Sequence, residues 1–417
     1  MYRKVVLHNG VRLVAERMPA VKSVAVGVWL NVGSRDEGAG EEGLSHFLEH
    51  MFFKGTASRS AAQISHEIDG LGGELNAFTT RETTTFYTKV LNEHLVPAVD
   101  LLADLFHHSR FAPRAVEREK QVVLEEIRML QDDPEDLVQE LHIAQMLSRH
   151  PLGRPILGSG TSVRAFRRAD LLRYIQAHYL PQRTVIAVAG DFEFDALVPL
   201  IERAFGSFER TSTPQVNRRP PSIVGGLLVQ RKPLEQVHLS FGFPGIAATR
   251  KDRAAAFALN AVLGGSVSSR LFQEIREKRG LAYSIYSYLA CYSDSGTFTV
   301  YAATRPREAP RVVELVWREI RRLRSRGVDR HELEVAKNQM KGSLMLSLET
   351  TQSRMSRLAK DELTHGRHFT LDDTMAEIDR VSAEDVLACA QELFEDERLS
   401  LTALGPVSHR ALIQAFP

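Results

Sequence analysis

Large apolar side chains stand at every second position through residues 24–32 (VAVGVWLNV), and this period of two predicts a strand with one face in a core. The Thr-rich run 79–90 and the apolar run 184–190 read as strands as well. Elsewhere apolar positions recur three and four apart, which predicts helices over 92–108, 113–131, 137–148 and 163–178. Strands and helices are interleaved without the regular succession of a βαβ series, so the expected fold class is α+β. A chain of 417 residues is too long for one ordinary core. The polar, Pro-rich stretch after Phe208 (ERTSTPQVNRRPPS) supplies a linker over 211–223, dividing domains 1–210 and 224–417.

Within the amphipathic pattern one short helix carries chemistry. In His46-Phe47-Leu48-Glu49-His50, a residue advances by about 100°, so His50 lies about 40° round from His46 and Glu49 about 60° the other way. The three polar groups point one way, while Leu44, Phe47, Leu48 and Met51 fall on the opposite side. HxxEH is the inverse of the commoner HExxH zinc motif, the other reading being two hydrogen-bonded core histidines. A catalytic zinc takes three protein ligands and keeps one position open, so a third ligand is required. The helix opening at Pro113 offers one. Its apolar stripe is Val116, Val123, Ile127 and Leu130; Glu119 and Glu126 border that stripe, and Glu117, Glu125 and Arg128 face away. Carboxylates at the edge of a buried face need partners, either a cation or ion pairs to a neighbouring helix.

HxxEH, Glu126 76 residues beyond His50, and Glu119 seven before Glu126 together resemble the pitrilysin/insulinase family of zinc peptidases, in its half-length branch that includes the mitochondrial processing peptidase. The segments GLSHFLEHMFFKGT (43–56), GGELNAFTTRETTTFY (72–87) and HPLGRPILG (150–158) are similar to that family too, and the likeness spans essentially the whole chain. It implies two similar α+β domains, each a mainly antiparallel sheet packed with helices, forming half of a clam-shell. It also implies one Zn²⁺ per chain on His46, His50 and Glu126, with Glu49 as general base and Glu119 tuning the site from behind the ligands. Arg276 and Tyr283 in LFQEIREKRGLAYSIY would, alone, be a surface Arg on a helix and a half-buried Tyr in a strand. By resemblance they bind substrate carbonyls and the tetrahedral oxyanion. Glu74 to Val90 reads as a long extended segment, a central strand or a free edge; the resemblance makes Asn76, Ala77 and Phe78 an edge that takes peptide as an added strand.

The halves echo each other faintly, TVIAVAGDF (184–192) with LSLTALGPV (399–407) and GGELNAFTT with GLAYSIYSY (280–288). Either the domain is duplicated or two α+β halves share such fragments by chance. Where the first half has SHFLEHMFFKGT the second has ALNAVLGGSVSSR, without a ligand, so one metal site is expected. Carrying both the zinc motif and the Arg/Tyr pair on one half-length chain implies a homodimer that completes each site in trans, or a heterodimer with a related chain.

Composition narrows the partners. A net charge of +1 and a pI near 7.9 provide no general field for nucleic acid or anionic membrane. The start of the chain has no apolar stretch of signal length and no segment approaches eighteen uninterrupted apolar residues, so a cytoplasmic protein is expected. Two cysteines, Cys291 and Cys389, lack metal-type spacing and read as core thiols of a reducing compartment. The expected substrate is a short or unfolded peptide. The alternatives are a non-catalytic partner subunit of a processing complex and a zinc hydrolase of non-peptide amides.

Overall fold

A computed structural model describes residues 1–208 and 218–416. In chain order the first half contains β1 (Tyr2–Val6), β2 (Arg12–Arg17), β3 (Ser23–Leu30), α1 (Leu44–Phe52), α2 (Ala61–Gly70), β4 (Glu74–Thr79), β5 (Thr84–Leu91), α3 (Leu95–His108), α4 (Pro113–Asp132), α5 (Pro134–Met146), α6 (Gly160–Ala165), α7 (Arg168–His178), β6 (Thr184–Gly190) and α8 (Phe194–Phe205). The second contains β7 (Gly226–Gln230), β8 (Val237–Pro244), α9 (Arg253–Leu263), a π-helical turn at Phe272–Glu277, β9 (Ala282–Cys291), β10 (Gly296–Thr304), α10 (Ala309–Arg326), α11 (Arg330–Ser347), α12 (Thr351–His365), α13 (Leu371–Arg380), α14 (Ala383–Leu393), β11 (Ser400–Leu404) and α15 (His409–Ile413).

The strands form two sheets, ordered β1-β2-β6-β3-β5-β4 and β7-β11-β8-β10-β9. Without β1 the orders correspond strand for strand. In each, one pair is parallel, β2 with β6 and β7 with β11, and the rest are antiparallel. The faint echoes fall on equivalent strands, since β6 matches β11 and β4 matches β9. Fold class α+β with two similar domains is thus what the chain adopts.

The central strands of each sheet are buried on both faces. In the first, Val24, Val26, Val28 and Leu30 of β3 enter the larger core with Phe47, Phe52 and Phe106, while Ala25 and Trp29 turn to the other face and meet Met355, Leu358 and Ala359 of α12. The indole Nε1 of Trp29 donates to Met355 Sδ at 3.1 Å. Full burial of Met355 and Leu358 contributes about 1.5–3 kcal/mol each, enough to hold α12 on the sheet. In the second sheet the corresponding cover is α5, whose Val138 packs on Tyr301, Ala303 and Leu404. Two helices therefore lie on sheets remote in sequence. One compact unit comprises 1–128, 154–217 and 347–368, the other 129–153, 218–346 and 369–417. The contiguous division 1–210 and 224–417 needs this correction: a helix's apolar stripe shows that it is covered, and the covering sheet is chosen in three dimensions. Most of the expected linker, 209–217, lies outside the described residues.

Several element boundaries also differ. The expected extended run from Glu74 to Val90 is a hairpin, turned at Thr80–Thr83, where Thr80 N donates to Thr83 O (2.7 Å) and Thr83 N to Thr80 Oγ1 (2.9 Å). The helix over 163–178 breaks into α6 and α7 at Phe166 and Arg167, both in extended conformation. The 92–108 helix starts with a 3₁₀ turn, and α5 starts early, at Pro134, with Asp133 Oδ1 capping Glu135 N (2.9 Å). Cys291 and Cys389 are both free thiols. No helix among the described residues is long and apolar enough to cross a membrane.

His142 of α5 is fully buried against β11, its Nδ1 3.0 Å from Thr402 Oγ1. Burial pulls its pKa down to about 3. The unfolded chain therefore binds a proton near pH 6.5 that the folded chain refuses until about pH 3, and stability falls as pH drops through that window. We expect His142→Asn, which keeps a polar atom at the Nδ1 position without titrating, to flatten the loss of unfolding free energy between pH 7 and 4. The slope it removes is at most about 1.4 kcal/mol per pH unit, read from denaturant titrations.

Candidate metal centre

The helix that carries HxxEH is held at its N-terminus by a carboxylate that sequence reasoning missed. Leu44, Phe47, Leu48, Met51 and Phe52 of α1 are buried, which leaves His46, Glu49 and His50 on the remaining face. Glu37, only 4% exposed, accepts from Gly43 N and Ser45 N, each at 2.8 Å, and so satisfies two of the orphan donors of the first turn. Burial pushes its carboxyl up to about 8, against the pull of those N–H groups. Ser45 Oγ meets Tyr174 OH at 2.9 Å, and Arg154 Nη1 donates to Glu37 O at 2.7 Å. Gly43 (φ +93°) and Gly158 (φ +71°) pack backbone on backbone; a Cβ on Gly158 would lie 2.2 Å from Glu42 O. Two of the segments singled out in the sequence thus meet at the start of α1.

Facing α1 is α4. Val116 and Val123 are buried, Ile127 and Leu130 half-buried, and Glu117, Glu125 and Arg128 exposed, as the periodicity predicts. Glu126 brings Oε1 to 3.5 Å from His50 Nε2 and Oε2 to 3.7 Å from His46 Nε2. Among the described residues, His46, His50 and Glu126 are the one group of three metal-type side chains whose ligand atoms lie within 4.8 Å of one another. Bonds of about 2.0–2.1 Å in a tetrahedron set ligand atoms about 3.3 Å apart, close to the spacing found. Glu126 Oε2 and His46 Nδ1 are buried and make no hydrogen bond. A cation held there would give Glu126 Oε2 a partner.

Protonation of the rings follows from their neighbours. Glu119, 4% exposed, takes His50 Nδ1 on one oxygen and Lys54 Nζ on the other, both at 2.8 Å. A carboxylate there holds a proton on His50 Nδ1, so Nε2, facing Glu126, is the nitrogen left for a ligand bond. Burial alone would raise the Glu119 carboxyl, but the hydrogen bonds from His50 and Lys54 outweigh it and hold it low. Burial, with some repulsion from His50, takes His46 down to about 4, leaving a neutral imidazole with one nitrogen lone pair to give. His50 goes the other way: burial is overcome by the Glu119 hydrogen bond and the charges of Glu126, Glu119 and Glu49. Burial raises Glu126 and Glu49 above the usual carboxyl range. Glu49 Oε2 accepts from Thr79 Oγ1 at 2.6 Å.

The remaining expected residues fall in two places. Asn76, Ala77 and Phe78 lie on β4, which pairs with β5 alone and is the edge of its sheet, beside α1. Arg276 and Tyr283 belong to the second unit. There the Arg276 guanidinium stacks between the rings of Phe272 (4.7 Å) and Tyr283 (4.4 Å) and donates to Tyr283 O at 2.8 Å, with Tyr283 78% exposed. The expected helix at Arg276 is the π-helical turn, a local geometry often found at functional sites. Of the residues missed, Lys54 had a signal, since it follows His50 by four; Glu37 and Thr79 act across distances that local spacing does not show.

Residues 12–160 match the family described as insulinase (peptidase family M16), and residues 165–340 match its "Peptidase M16 inactive domain". A Bacillus subtilis protein named "Uncharacterized zinc protease YmxG" is 44% identical over 402 residues, covering 96% of this chain and 98% of its own length. The chain belongs to the M16 peptidase family. A Mycobacterium tuberculosis relative, also named an uncharacterized zinc protease, is 43% identical over 97% of this chain and 93% of its own. Among solved structures, a protease from Helicobacter pylori (TM-score 0.90, 23% identity, 97% of this chain and 99% of that one) shares the fold. So does a peptidase M16 inactive domain from Pseudomonas fluorescens (TM-score 0.91, 20% identity, 98% of each chain). The stretch matched as inactive contains none of His46, His50 and Glu126.

Gly158→Ala tests the seat of α1. We expect a loss of unfolding free energy of at least about 1–3 kcal/mol, the cost of a side chain in left-handed backbone, measured by chemical denaturation.

Proposed function

We propose that this M16 family member is a zinc-dependent endopeptidase that cleaves short or unfolded peptides, with one zinc per chain on His46, His50 and Glu126. The observation that carries the reading is the Glu119–His50 contact, which leaves imidazole and carboxylate atoms converging beside a carboxylate, Glu49, that is not one of the three. The printed names of the relatives support it. Zinc bound there would polarise the scissile carbonyl and acidify a water molecule. Glu49, with Oε2 engaged by Thr79, has Oε1 to take the proton of that water and deliver it to the leaving amine. The outer edge of β4 at Asn76, Ala77 and Phe78 would take an extended peptide as an added strand, the Ala77 N–H exchanging its bond to Asn76 Oδ1 (2.8 Å) for one to the peptide, giving affinity largely independent of sequence. Arg276, already stacked and hydrogen-bonded, and Tyr283, with its phenol exposed, donate to the developing oxyanion. Glu119 supports His50 from behind. The active form in this reading is a homodimer, with Arg276 and Tyr283 serving the partner chain.

Glu49→Gln should lower kcat on an unstructured fluorogenic peptide by about 10²–10⁴-fold while zinc content, measured by metal analysis, stays at one per chain. Glu119→Gln should weaken zinc binding by about 10–100-fold in a competition titration. Full cleavage by the Glu49→Gln chain, or cleavage indifferent to a chelator, refutes the assignment. Mixing Glu49→Gln with Arg276→Ala chains should restore part of the activity if sites are completed in trans; no recovery argues for assembly within one chain.

A further inference from the structure

Thr79 closes β4 at the point where the edge strand reaches α1. Side chains alternate along β4, so Leu75, Ala77 and Thr79 share one face, and Thr79 Oγ1 donates to Glu49 Oε2 at 2.6 Å. Its backbone has little freedom to drift. Thr79 pairs with Thr84 in the last rung of the hairpin. The turn beyond it is stapled by Thr80 and Thr83 and tied to the segment after β3. Ser34 N donates to Thr80 O (3.3 Å), Arg35 N to Arg81 O (2.8 Å), and the buried Arg35 guanidinium pairs with Glu82 at 2.6 Å. Gly33 lets this approach happen, since a Cβ there would lie 2.3 Å from Thr80 O.

From this we infer that Thr79 is a positioning residue for Glu49, an inference that rests on Glu49 being the general base. Glu49 adjoins His50 on the ligand face, and a mobile carboxylate there would compete for a ligand position of the ion. The Thr79 hydroxyl occupies one carboxylate oxygen and fixes the plane of the other. The same strand offers its free edge to the peptide, so the base is registered against the substrate's backbone by a single short segment.

The test compares wild type, Thr79→Val, Thr79→Ser and Glu49→Gln, all loaded with zinc, on one unstructured fluorogenic peptide, together with crystal structures of the two Thr79 variants. In Thr79→Val, which keeps the shape and loses the hydroxyl, kcat should fall about 10–100-fold with KM changed less than about threefold and zinc content unchanged. The Glu49 carboxylate should leave its wild-type position. In Thr79→Ser both kcat and the carboxylate position should be retained, kcat within about threefold. An unchanged kcat in Thr79→Val, an equal defect in Thr79→Ser, or loss of zinc in Thr79→Val overturns the positioning role while the base assignment stands if Glu49→Gln is inactive. An active Glu49→Gln chain removes the base assignment itself.

Discussion

A sheet apolar on both faces must be covered twice, and that constraint organises this protein. All seven residues of β6 are buried, and β3 is buried from Val24 to Leu30. The outer face is lined by small or flat residues, Ala25, Ala187 and Ala189 beside Trp29, so that one helix, α12, can approach closely over its length. The second sheet meets the same demand with α5. Both edge strands of the sheet, β1 and β4, pair on one side only, and it is β4 that lies next to the polar triad of α1.

Two buried carboxylates give that triad its precision. Glu37 grips the first turn of α1 through two backbone N–H groups, and Glu119 holds the last turn through His50 while Lys54 balances its charge. A carboxylate out of water is costly unless every oxygen is engaged, and here each oxygen has a partner. The interaction energy is spent on orientation: α1 can neither slide nor roll without leaving buried hydrogen-bonding groups unpaired. Glu126 differs, since its buried Oε2 has no donor.

How much of this could be read from the sequence depends on the range of the interaction. The strand 184–190 and the helix from Pro113 were legible because periodicity and a first-turn proline are local. The convergence of His46, His50 and Glu126 was legible because the first two sit one turn apart and the third borders an apolar stripe. The hairpin in 79–90 was not, since its turn has no Gly, Pro or Asn and is made by the Thr80 hydroxyl standing in for backbone. The break between α6 and α7 likewise lacks a breaker residue and is set by the burial of Phe166. Glu37 gave no sign, because its donors are identified only once the loop before α1 folds back.

The placement of α5 and α12 has a consequence for how the chain must be regarded. Neither contiguous half contains all the parts of one sheet's covering: the first half lacks α12 and the second lacks α5. Severed in the middle, the two pieces would each expose an apolar face and recover it only by lending a helix to the other. Each sheet's second cover is therefore drawn from the other half of the sequence, and the two halves depend on one another to fold.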